Sequence, residues 1–264
     1  MSIEFQTVSK TFCRNDDERL YNVGLRHGLE FRIGLTIKLT SHVFRFSFLA
    51  AMLISVVLTA RAQITVTVDR NLGGDANPEF KFKLVRSPLK DDAAARARLT
   101  LLAGEADPAG ADLSALTDGI LPTGENQPKS NFSFDSGSSG GRFSMDLGRV
   151  IEIRQINSYS WHSGNRAPQV YRLYASNGAD PQFCAEPRGD VDPASCGWTL
   201  ITSVDTRRGR GGGGEGQYGA SINDARGSLG KYRYLLFECS ATETDDDAGN
   251  TFFSEIDVVA KKSP

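Results

Sequence analysis

Between Trp161 and Arg166 the chain sets an aromatic ring, an imidazole, a carboxamide and a guanidinium within six residues (Trp161, His162, Asn165, Arg166). That combination suits a sugar. An aromatic face stacks on the C–H face of a pyranose, and planar donors held in fixed geometry bond its vicinal hydroxyls. Tyr218 and the arginines of the Gly-rich stretch 207–216 are placed to join them from a neighbouring connection. Trp161 has a second reading, because it closes an apolar run and its size equally suits a core.

Catalytic constellations are absent by comparison. Gly137-Ser138-Ser139-Gly140-Gly141 satisfies the nucleophile-elbow pattern, but that pattern needs a buried strand before it and a helix after it, and here a polar tip leads into a strand. Gly209–Gly214 fits a dinucleotide fingerprint with no helix behind it to hold a pyrophosphate. His162 is the one imidazole after residue 42, so no acid/base pair is legible. Cys184 and Cys196 flank a polar loop containing Pro187, Gly189 and Pro193, and a bridge across it is expected in an oxidising compartment. Cys239 lies in an apolar run and reads as a small buried hydrophobe. The spacing lacks any Cys-x-x-Cys pair, which speaks against zinc. The acidic run Asp245–Asp247 is able to attract a cation, although such a run in a hairpin loop is ordinarily solvated.

The elements that position these residues begin only after the first quarter of the chain. Phe46–Leu58 is an unbroken apolar run, preceded by Lys38, His42 and Arg45 and followed by Ala60-Arg61-Ala62. This is the order of a secretory signal peptide, with cleavage expected after Ala62. A membrane anchor needs roughly 20 apolar residues, and this run is shorter. Residues 1–45 carry scattered charge without a period, as from a start codon placed too early or a disordered leader, so Cys13 and His27 are given no role. The mature chain is long enough for one well-covered sandwich. A formal charge of −2 over the whole sequence gives no reason to expect nucleic acid or an anionic membrane as partner.

Period-two alternation then recurs in short segments. Ile64–Val68 and Phe80–Val85 read as strands, and Ala93–Leu102 leans the same way despite its alanines. Ser130–Phe134 follows. Arg142–Met145 and Val150–Ile156 read as two strands meeting at an Asp146-Leu147-Gly148 turn, with Met145, Leu147, Ile153 and Ile156 as core. Val170–Ser176 is closed by Asn177-Gly178, a strong turn signal. Trp198–Val204, Lys231–Cys239 and Phe252–Ala260 complete the set, and no long 3.6-residue period interrupts it. Many short strands between turns mean an all-β sandwich or jelly roll.

The order of short motifs resembles the discoidin family, the C-type domains of coagulation factors V and VIII, and the related family 32 carbohydrate-binding modules. It runs Leu116-Thr117-Asp118-Gly119, Phe143–Gly148, Ile156–Trp161, Tyr171–Gly178, Trp198, Gly230–Tyr234 and Ser254–Val258. The TFFSEIDV ending is also similar to a group of uncharacterised secreted bacterial proteins. The resemblance spans roughly 99–262 and implies a galactose-binding-like jelly-roll β-sandwich, with 63–98 as extra N-terminal strands. It further implies a non-catalytic module that binds a glycan through loops at one end, or else an adhesive or structural module of a cell-surface assembly. A structural calcium ion is implied as well, with Asp118 and Glu255 matching the family's carboxylate ligands and Thr123 or Asn126 as additions. The sequence departs from the family after Asp118-Gly119, where Ile120–Asn126 replaces the usual Thr and Trp, and in the long insertions at 184–196 and 207–216.

Overall fold

The computed structural model describes residues 63–208, 214–244 and 249–261. The leader, the apolar run 46–58, residues 209–213 of the Gly/Arg stretch and Asp245–Asp247 lie outside them. Among the described residues no helix is long and apolar enough to cross a membrane.

Eight strands form an all-β, antiparallel jelly-roll sandwich: β1 Ile64–Asn71, β2 Arg98–Ala103, β3 Gly140–His162, β4 Val170–Ser176, β5 Thr199–Asp205, β6 Gly216–Asp224, β7 Gly230–Ser240 and β8 Phe253–Ala260. β3 belongs to both leaves. Its first half pairs β2 and β7, with Phe143 opposite Leu101 and Phe237, and β4 and β5 continue that leaf. Its second half pairs β6 and β8, with Ile156 opposite Ile222 and Val258, and β1 lies outside β6.

The Asp146-Leu147-Gly148 step therefore does not reverse the chain, as its turn chemistry suggests. It bends one strand from leaf to leaf. Gly148 takes φ +77 and donates its amide to Asp146 Oδ1 at 2.8 Å, and pairing with β7 lapses between Asp146 and Ile151. A side chain at φ > 0 is costly, which makes glycine the natural residue at the bend.

The core lies between the leaves. Phe143 stacks on Phe237 at 5.0 Å, with Met145, Tyr171 and Leu173 around them, and Ile156, Ile222, Ile256 and Val258 face them from the other leaf. Each such side chain contributes about 1.5–3 kcal/mol on burial. Met145, Ile153 and Ile156 are buried as expected, and Leu147 packs against the core half-exposed.

Three expectations are corrected. Phe80–Val85 is not a strand, so 63–98 contributes β1 alone, followed by a strap that crosses the outer face of the leaf holding β1, β6 and β8. Alternation there is apolar but has no ladder partner. The strap's amides go instead to side chains: Lys81 to Asn77 Oδ1, Leu84 to Asp69 Oδ2, and Leu89 to the Asp257 carboxylate at 3.2 Å. Residues 93–97 are a turn that precedes β2, and Ser130–Phe134 makes only isolated bridges, Phe132 to Phe253 and Phe134 to Ala106. β6 was not expected in the glycine-rich sequence GQYGASIND; there Tyr218, Ala220 and Ile222 alternate into the interior.

Candidate functional site

One end of the sandwich gathers the end of β1, the loop after β3, residues 206–208 and 214–215, and residues 241–244 and 249–252. Register brings them together, since Asn71 and Trp161 both lie opposite Gln217 and His162 lies opposite Gly216. Between them is an open cavity of about 340 Å³ lined by Leu72, Ser163, Gly164, Asn165, Arg208, Gly214 and Glu215.

Of the residues expected to bind ligand, Asn165 lines this cavity. His162 flanks it, with its ring 5.0 Å from Phe252 and its Nδ1 accepting from the Gly164 amide at 3.0 Å. Burial, and then the neighbouring Arg166 charge, push the imidazole down to about 4. It is neutral at pH 7.

Arg166 is committed to the scaffold. Its Nη2 donates to Asp107 at 3.1 Å and to Ser133 at 2.8 Å, its Nε to the Asn250 carbonyl at 3.1 Å, and its guanidinium lies 4.6 Å over Phe252. Trp161 is 5% exposed and is no platform. Phe80 of the strap meets it edge-on at 5.7 Å and Tyr159 at 6.2 Å, while Phe82 stacks on Tyr159 at 6.2 Å. The close approach needs Gly219, where a Cβ would come within 3.0 Å of Phe82 and Val85. Tyr218 is buried with Arg70 5.2 Å over its ring, and its hydroxyl, without a partner among the described residues, abuts Gly214 of the cavity wall.

Ser163 and Gly164 sit in the loop the sequence had already singled out, and Arg208 and Glu215 in the Gly/Arg connection. Leu72 carries no local signal, because only the pairing of β1 with β6 brings it to the cavity.

A second cluster lies on the strap-covered face. Glu255 is fully buried on β8; its Oε2 accepts from the Gly119 amide at 3.1 Å and its Oε1 has no partner among the described residues. Burial, reinforced by the charges of Asp257, Asp118 and Asp92, pushes it up to about 9. Asp257 is lifted to about 7, chiefly by burial and against the Leu89 amide. Asp118 is exposed and accepts from the Ile120 amide at 2.8 Å. The other two residues expected around calcium have different bonds: the Thr123 amide donates to Gln127, and the Asn126 side chain donates to Ser163 Oγ at 2.6 Å. Among the described residues no three His, Cys, Asp or Glu side chains converge as a metal-holding group.

The insertion at 179–197 is clamped from beneath by the buried Arg142, which donates to the Pro187 and Val191 carbonyls and pairs with Glu238. Cys184 and Cys196 lie beside each other there, with the Cys184 amide on the Cys196 carbonyl at 3.2 Å and both residues packed in the cluster of Trp198.

No protein-family model matches the sequence, and no curated protein does. Among solved structures, the chain is similar to a family 32 carbohydrate-binding module of Clostridium perfringens (11% identity, 64% of this chain, 99% of that one, TM-score 0.41). It is likewise similar to a fucose-binding module of Streptococcus pneumoniae (12%, 65% and 99%, TM-score 0.41). A third is the lectin domain of lectinolysin, solved with Lewis B antigen (12%, 66% and 100%, TM-score 0.41). At these scores the overlaps carry no argument about function, which has to come from the residues.

Proposed function

We propose that the chain is a secreted, non-catalytic module that binds carbohydrate in the loop-end cavity. The observation that carries this is the cavity lining: a carboxamide (Asn165), a hydroxyl (Ser163), a guanidinium (Arg208) and a carboxylate (Glu215) converge around an open concavity with Leu72 as its apolar face. Planar donors and acceptors at fixed spacing suit vicinal hydroxyls. With Trp161 under Phe80, recognition goes through hydrogen bonds rather than ring stacking. His162 is the sole imidazole of the described residues, and no hydroxyl or thiol bonds it, which supports binding over catalysis. The signal-peptide pattern of the sequence at 46–62 supports secretion. The test is a glycan array, with titration of any hit. Asn165→Ala and Glu215→Ala should each weaken the hit tenfold or more, roughly 1.4 kcal/mol, with the melting temperature unchanged. An array without hits sinks the sugar reading and favours a protein-binding, adhesive role.

We also propose a structural calcium ion held by Glu255 and Asp118 with backbone carbonyls of the 117–120 turn. The orphaned, buried Glu255 Oε1 is the support, since a buried acceptor without a donor is the signature of an oxygen awaiting a cation. Bound calcium would supply charge neutralisation to a carboxylate otherwise driven to take up a proton. Calcium at about a hundred times its Kd should add about 2.7 kcal/mol of stability over chelator, and Glu255→Gln should abolish the difference. Equal melting in calcium and chelator would overturn this.

A further inference from the structure

The pole opposite the cavity carries a charge that the composition does not announce. β2 begins there at Arg98, β3 bends there through Arg149, β7 begins at Gly230 and β8 ends at Ala260. Register ties these ends together: Arg98 lies opposite Asp146, Lys231 opposite Glu152, and Ile153 opposite both Gly230 and Ala260. β6 also ends at this pole, at Asp224 opposite Ile64.

Three ion pairs belong to it, Arg233–Asp146 at 2.8 Å, Lys261–Glu152 at 2.8 Å and Arg226–Asp224 at 2.9 Å. These use the carboxylates of the strand ends. Five further cations, Arg96, Arg98, Arg149, Arg154 and Lys231, are all exposed and make no ion pair among the described residues. The whole chain has a formal charge of −2, so this excess is local. Arg98 and Lys231 face Asp146 and Glu152 without bonding them, and the remaining like charges on the pole repel one another in a way that an anionic partner relieves.

We propose that this pole binds a linear polyanionic polysaccharide, one bearing sulfate or carboxylate at regular intervals. The cations are spread around a bent strand and its neighbours' ends, a distributed arrangement that suits a flexible charged chain. Guanidinium groups, four of the five, pair sulfate and carboxylate through two parallel bonds. The one exposed large apolar side chain at the bend is Val150, and Tyr232 packs against the core. Among the described residues the pole therefore has no fully exposed aromatic ring of the kind that stacks on bases or enters a bilayer, Tyr232 being half-buried. This surface is separate from the loop-end cavity and does not depend on what that cavity binds.

The experiment uses the full chain over immobilised heparin and immobilised alginate, with neutral dextran as blank. Binding is expected to both polyanions, falling roughly tenfold or more between 50 and 200 mM salt as condensed counterions cease to be released. Arg149→Glu/Arg154→Glu/Lys231→Glu should abolish it, and Arg149→Gln/Arg154→Gln should weaken it at least about fivefold with an unchanged melting temperature, which answers the objection that charge reversal unfolds the chain. Arg188→Glu, the same reversal on the remote insertion, should leave binding within about twofold. The proposal is overturned if neither polyanion binds at 50 mM salt, or if the glutamine variant binds like the parent. Equal or tighter binding to phosphatidylserine vesicles or single-stranded DNA would overturn it as well.

Discussion

Phe80→Ala is the perturbation that reaches furthest into this structure. Phe80 is fully buried, yet it sits on an irregular strap, touches Phe82, Tyr159 and Trp161 through its ring, and takes φ 47. Truncating a buried Phe costs about 3–5 kcal/mol. For a domain of this size that corresponds to a fall of about 6–20 °C in melting temperature. The cost is capped by the docking energy of the strap, because a strap that lifts off loses nothing more. The left-handed backbone supplies an internal control. A non-glycine residue there costs roughly 1–2 kcal/mol. Phe80→Gly should therefore be about 1 kcal/mol more stable than Phe80→Ala, the reverse of the usual order. The optical signal is independent of both. Trp161 and Trp198 are 5% and 3% exposed, so the parent should fluoresce as a protein with two buried indoles, and either variant should shift part of the emission to the red as Trp161 meets water. Calorimetry and emission spectra together test the reasoning. Unchanged emission with a melting shift under about 2 °C would refute the claim that the strap seals Trp161.

Four further outcomes follow from particular contacts. Arg166→Ala should cost about 3 kcal/mol in urea unfolding, because it strands the largely buried Asp107 and frees the Asn250 carbonyl; a loss below about 1 kcal/mol would place Arg166 with ligand instead. His162 is depressed to about 4, so its contribution is complete above pH 6.5 and is lost as pH falls towards 4, with an amplitude reduced by solvent screening of the half-exposed ring. His162→Gln should remove that acid-side slope, and identical pH–stability curves for the two proteins would contradict it. Under oxidising conditions Cys184 and Cys196 should be recovered as one bridged peptide, with Cys239 alkylated only after unfolding because burial drives its thiol well above the usual range; a Cys239 bridge would refute this. Gly141→Ala should destabilise severely or abolish folding, since a Cβ there meets the Ala103 carbonyl at 2.5 Å as well as the Phe134 ring; a soluble variant melting within about 3 °C of the parent would refute the packing.

The sandwich was legible wherever side-chain period and partner strand agreed. ITVTV, VYRLYAS and KYRYLLFEC alternate and pair as their sequence suggests. FKFKLV alternates just as well, but both of its phenylalanines meet the same aromatic cluster from an irregular backbone, because the outer sheet face offers Tyr159 and Trp161 rather than a free edge. β6 was lost for the opposite reason. Its glycines and polar residues lower the apparent strand signal, although Gly219 is small because the strap passes directly over it. At the loop end, residue type located the region and failed to assign roles. Asn165 and Arg166 are adjacent and equally polar, and only the positions of Asp107 and Asn250, distant in sequence, turn one into scaffold while the other is left facing the cavity.

The sharing of β3 between both leaves also governs the order in which the chain can fold during synthesis. β3 is made in mid-chain, while two of the four strands it hydrogen-bonds, β7 and β8, come last. A nascent chain ending at Ser240 holds every strand of the β2–β5 leaf but lacks β8. One edge of β3 is then bare from Ile153 to Ser160, and the places of Ile256 and Val258 are empty. Closure depends on contacts distant in sequence, which makes folding slow. Until the C-terminal strand arrives, that unpaired edge is the place where two growing copies would pair with each other.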